Sequence, residues 1–66
     1  MEIIVNGEQR QVPDSYTAAQ LVDAMGLAGQ RIAMEVNLEI VPRSRHASHV
    51  LRAGDRVEIV HAIGGG

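Results

Sequence analysis

Apolar and polar positions recur with two different periods along this chain, and each change of period marks an element. Glu2-Ile3-Ile4-Val5 is a β-favouring run, and Asn6-Gly7 follows it with the dipeptide preferred in a type I′ hairpin turn. Glu8 to Val12 returns as a second strand, with Gln9 and Gln11 alternating against Arg10 and Val12. Pro13 then withholds an N–H and ends the ladder. The period next shifts to that of a helix. Ala18, Leu21, Val22 and Met25 form an i, i+3, i+4, i+7 stripe, while Gln20 and Asp23 face outward. Thr17-Ala18-Ala19-Gln20 fits a capping box, and Tyr16 and Leu21 occupy the two positions of a hydrophobic staple. Gly26 supplies the left-handed residue of a C-cap, with Leu27 placed to fold back on Val22. The helix is predicted over 18–25.

Ala28-Gly29-Gln30 reads as a loop, after which 31–36 alternates again, Ile32, Met34 and Val36 against Ala33 and Glu35. Asn37 marks a turn, 38–41 is a short strand closed by Pro42, and the polar stretch 43–49 has room for a single helical turn. Ala53-Gly54-Asp55 is a further turn, and 56–63 is the last strand. The order is β-β-α-β-β-(short helix)-β. One helix cannot cover both faces of five strands, so it should lie across one face with the sheet wrapped around it. The first and last strands can then meet in parallel. This is an α+β chain with a mixed sheet around one main helix, the β-grasp or ubiquitin-like arrangement. The expected division is a folded body over 1–63 and a flexible glycine tail over 64–66.

Composition narrows the chemistry. With 66 residues the chain makes one domain, and at this size folding buries only about 60% of the unfolded surface. Phe and Trp are absent and Tyr16 is the one aromatic residue, so aliphatic side chains must fill the core. A net charge of −2 argues against nucleic-acid or anionic-membrane binding. No apolar run approaches the roughly 20 residues of a membrane span and no secretory pattern opens the chain, so cytoplasmic residence is expected. Without Cys there is no disulfide, thiolate nucleophile or cysteine zinc site, and every basic residue is Arg, so no lysine offers a Schiff base.

What remains is the end of the chain, Gly64-Gly65-Gly66. Glycine reaches backbone angles closed to other residues and can pass a narrow channel. Three extended residues span roughly 10 Å, enough to carry a carboxylate from a folded body into another protein's active site. The bland reading is a loose terminus without a role. Nothing here binds ATP: no Gly-rich phosphate loop follows a strand and no Lys is available to hold a phosphate. Any activation of the carboxylate must come from a partner, and no catalytic residue is assigned to the chain itself.

The element order and these motifs together resemble the ubiquitin-like sulfur carriers of bacteria, in particular the ThiS family of thiamine thiazole biosynthesis. The resemblance rests on Ile3-Ile4-Val5-Asn6-Gly7, on Thr17 with Leu21, on Val36-Asn37 and on Ile40-Val41-Pro42-Arg43. It continues through Gly54-Asp55 with the following strand to the terminal Gly65-Gly66, and so spans the chain. His46 departs from the pattern, since relatives often carry an aromatic residue there. The resemblance implies that an E1-like adenylating enzyme of the ThiF type converts the Gly66 carboxylate to an acyl-adenylate, using ATP and Mg²⁺. A sulfur donor, such as a cysteine desulfurase route, would then leave a thiocarboxylate for a thiazole synthase of the ThiG type. Gly64 and Gly65 would thread both partners' active sites. The same chemistry with another client, the small subunit of molybdopterin synthase, and a passive β-grasp interaction module are the alternatives.

A docking surface is also suggested. If Val57, Ile59 and Ile63 face the helix, Val60 and Ala62 face outward, and Ile4 of the first strand is placed beside them. Scattered surface aliphatics without a role are the plainer account. Arg43, Arg45, Arg52 and Arg56 suggest either a basic edge near the tail or a solvated face. His46, His49 and His61 lack a completing carboxylate or Cys and read as structural or solvent-facing, with no bound metal or cofactor expected.

Overall fold

A computed structural model of the chain describes residues 1–62. The elements are β1 (Glu2–Val5), β2 (Glu8–Gln11), α1 (Ala18–Ala24), β3 (Ile32–Val36), β4 (Glu39–Val41), a 3₁₀ turn (Arg43–Arg45) and β5 (Arg56–His61). The five strands make one mixed sheet in the order β2-β1-β5-β3-β4. β1 and β5 run parallel at its centre, and every other neighbour is antiparallel. No helix among the described residues is long and apolar enough to cross a membrane.

The helix forms as its punctuation predicts. The Thr17 hydroxyl accepts from the Gln20 amide at 3.1 Å, and Gln20 Oε1 accepts from the Thr17 amide at 2.8 Å. At the other end the Gly26 amide donates to the Asp23 carbonyl and the Leu27 amide to that of Val22, the paired bonds of a Schellman ending, with Gly26 at φ +73°. The helical residues end at Ala24, and Met25 is the cap rather than the last turn. Ala18, Leu21 and Val22 are buried against one face of the sheet. That face supplies Ile3, Val5, Met34, Val36, Val41, Val57 and Ile59, and Leu51 closes the core. Leu51 is fixed there by its amide, which donates to the Tyr16 carbonyl at 2.8 Å. Full burial of each large aliphatic residue is worth about 1.5–3 kcal/mol before chain entropy is counted.

Asn6 and Gly7 both have positive φ (51° and 83°), as a type I′ turn requires. The second hairpin departs from the sequence-based expectation. Leu38 belongs to the turn and not to the strand, because Val36 pairs with Glu39 and leaves only Asn37 and Leu38 to connect β3 and β4. A two-residue link that follows the strand twist forces positive φ at both, 52° and 71°. The apolar identity of Leu38 had suggested strand.

Both turn asparagines clip onto β5. Asn6 Oδ1 accepts from the Ile59 amide at 2.8 Å, and Asn37 Oδ1 accepts from the Arg56 amide at 3.0 Å. Asn37 Nδ2 also donates to Asp55 Oδ1, whose partner oxygen Oδ2 accepts from the Arg52 amide. The last strand is therefore held along one edge by β1 and its turn and along the other by β3 and its turn. Its expected continuation at Ile63 lies outside the described residues.

Candidate functional site

Two features of the described body bear on the tail: the point where β5 ends, and the sheet face turned away from the helix. β5 enters from the Ala53-Gly54-Asp55 turn with Gly54 at φ +84° and runs between β1 and β3. Its pairing with β3 continues to His61 opposite Ile32. Beyond it the Ala62 amide donates to the Arg31 carbonyl at 3.0 Å. His61 Nε2 lies 2.7 Å from Gln30 Oε1, so that nitrogen carries the hydrogen. Arg43 Nη2 donates to the Gln30 carbonyl at 2.9 Å. The root of the tail is thus built from the loop before β3, the turn after β4 and the end of β5. Gly64, Gly65 and Gly66 themselves lie outside the described residues.

On the outer face Val60 is 59% exposed, Ala62 is exposed and Ile4 is half-buried. The strand register separates them. Ile4 stands opposite Arg56, four residues along β5 from Val60, a distance of about 13 Å. The neighbour of Val60 is Ala33, with Ile40 of β4, 75% exposed, one row away. The expectation that Ile4 sits beside Val60 is therefore corrected, because parallel pairing aligns Ile4 with the start of β5. That row of β4, β3 and β5 also sets Glu35 directly opposite Glu58, two like charges that the sequence pattern did not reveal as neighbours.

The arginines divide. Arg43 reaches the tail root, whereas Arg52 and Arg56 lie where β5 begins, a full strand of about 17 Å away. A single basic edge of Arg43, Arg45, Arg52 and Arg56 beside the tail does not form. The histidines divide as well. His46 is buried, with Nε2 3.0 Å from the Val41 carbonyl, while His61 is engaged by Gln30. Among the described residues no group of His, Cys, Asp or Glu is gathered as an ion would require. A concavity of about 520 Å³ is an open groove lined by residues including Asn37, His49, Val50, Arg52 and Asp55, at the end of β5 remote from the tail.

A mixed five-stranded sheet crossed by one helix, with the C-terminal strand central beside the first, defines a ubiquitin-like β-grasp protein. The sequence model of the ThiS family matches residues 3–66, and the chain belongs to that family. The sulfur carrier protein ThiS of Escherichia coli is 29% identical, over the whole of both chains. The crystal structure of a thiamine biosynthesis protein (ThiS) from Geobacter metallireducens superposes with a TM-score of 0.86 at 29% identity, again over the whole of both chains. A thiazole synthase of Paramagnetospirillum magneticum is 42% identical over all of this chain, which spans only 20% of that protein's length. The thiazole synthase of Magnetococcus marinus is likewise matched over 20% of its length, at 36% identity.

Proposed function

We propose that this chain is a sulfur carrier, a protein cosubstrate rather than an enzyme, and that the carboxylate of Gly66 is its working group. The observation that carries the reading is the family match, which runs through the glycine tail to residue 66. An adenylating partner of the E1 type joins the carboxylate to AMP from ATP, with Mg²⁺, and releases pyrophosphate. A carboxylate is a poor acylating group, and the mixed anhydride with AMP supplies the leaving group it lacks. Sulfide sulfur then attacks the acyl carbon, the bond to AMP breaks, and the thiocarboxylate remains. A persulfide donor gives an acyl disulfide instead, and a thiol must cleave its S–S bond, leaving as a disulfide with the donor's inner sulfur, to free the thiocarboxylate. Gly64 and Gly65 keep side chains away from the reacting carbon, so one tail serves the active sites of both adenylating enzyme and client. The two thiazole synthases in which a segment similar to this chain forms a fifth of the polypeptide favour thiazole synthase as that client. The need for ATP supports the cytoplasm as the compartment of the reaction.

Intact-mass spectrometry tests this directly. After incubation with an active ThiF-type enzyme, ATP, Mg²⁺ and a sulfur source, the chain should gain roughly 16 Da, sulfur replacing oxygen. Removal of Gly65 and Gly66 should abolish the gain. An unchanged mass in the intact chain, with the partner shown to be active on another carrier, contradicts the proposal.

A further inference from the structure

Gln30 lies in an exposed loop, yet all of its hydrogen-bonding groups are engaged. Its amide donates to the Leu27 carbonyl at 3.1 Å and its carbonyl accepts from Arg43 Nη2 at 2.9 Å. Its side-chain Oε1 accepts from His61 at 2.7 Å, and its Nε2 donates to the Gly26 carbonyl at 3.3 Å. One residue therefore ties the end of α1, the turn after β4 and the end of β5 to a single point. Its chain neighbour Arg31 holds the Ala62 amide, the last described hydrogen bond before the glycines. Gly29, at φ +80°, precedes Gln30 and gives this loop no stiffness of its own, so these bonds supply it.

We propose that Gln30, braced by Arg43, is a positioning residue for the reacting tail. It fixes the direction in which the chain leaves β5 and so reduces the ordering cost when a partner threads the glycines. The idea rests on the carrier reading above. Its physical basis is pre-organisation: when the end of β5 is already held in one place, less freedom is lost on binding. It also gives Arg43 of the Ile-Val-Pro-Arg block a task, as the brace of a carbonyl across the molecule's end.

Two readouts on the full chain test it, using Gln30→Ala, Arg43→Ala and the conservative Gln30→Glu, which keeps an acceptor for His61. The first is hydrogen exchange of the Ala62 amide in the free protein, with Ile59 as internal reference. The second is the KM and kcat for thiocarboxylate formation with the adenylating partner. The alanine variants should speed Ala62 exchange about five-fold and raise KM about five-fold, the weight of a hydrogen bond, with kcat little changed. Gln30→Glu should recover part of both, and Gln30→Ala combined with His61→Ala should add little to either single change. Both side chains are exposed, so the fold is kept. A KM change without an Ala62 change would make Gln30 a partner contact, and an Ala62 change without a KM change would deny the brace any role. Either overturns the proposal. Absence of any mass gain in the wild-type chain is a different failure, that of the carrier reading, while the Ala62 measurement judges the brace independently.

Discussion

Leu38 is a leucine in the left-handed region, 82% exposed, in a turn that wants glycine. Nothing around it requires the side chain for folding. Leu38→Gly creates the Asn-Gly pair of a type I′ turn and removes a backbone penalty of about 1–2 kcal/mol, offset by up to about 1 kcal/mol of extra freedom in the unfolded chain. The expected result is a net stabilisation of roughly 0.5–1 kcal/mol, seen as a rise of a few degrees in Tm. An unchanged or lower Tm would mean that this hairpin does not impose the left-handed geometry in solution. His46 makes the opposite point at the same scale. Its neighbourhood in the sequence is polar, but it is buried and its ring nitrogen donates to the Val41 carbonyl. Its role is to pin the turn after β4, and an imidazole does so with a hydrogen bond that a phenyl ring lacks.

At the scale of elements, the strands are written in the sequence more clearly than their partners. The capping box, the Schellman glycine and the Asn-Gly turn are local devices, and each forms where the residues place it. Register is different, because it depends on which strand lies alongside. Glu35 and Glu58 stand directly opposite across β3 and β5 on the outer face. Like charges in that position destabilise a sheet, so Glu58→Gln should raise stability by roughly 0.2–1 kcal/mol. Urea titrations at low and high salt check this: the gain should shrink as salt screens the pair, and a gain independent of salt would assign it to another cause. The same register moves Ile4 away from Val60 and strands Arg52 and Arg56 at the far end of β5.

For the molecule as a whole, we expect the outer face around Val60 and Ala62 to meet the partner enzymes, since it continues the strand that ends in the tail. Val60→Asp should change stability by no more than about 1 kcal/mol, because the side chain is mostly exposed. It should weaken binding to the adenylating enzyme by at least about ten-fold, since it places a charge in an apolar contact. Calorimetry with the purified partner decides it, and an unaltered affinity would remove this face from the docking surface. The β-grasp topology itself was legible in the order of elements, because a single helix and strands of these lengths leave few ways to cover one sheet face. So was the parallel meeting of β1 and β5.

Everything that acts over a few residues is readable from the chain alone: the capping of the helix, which turn follows β1, and which strand positions are apolar. The absence of Cys and Lys and the run of glycines likewise limited the chemistry before any fold was known. Whatever depends on distant segments meeting was settled by the folded chain. It moved Leu38 from strand to turn, because β3 and β4 pair with a two-residue link. It made Asn6 and Asn37 clips on β5, and it gathered Gln30 of a loop, Arg43 of the 3₁₀ turn and His61 of β5 at the tail root. Local hydrogen bonds and turn angles are properties of adjacent residues, whereas register and side-chain contact across the sheet exist only once the chain has closed on its core.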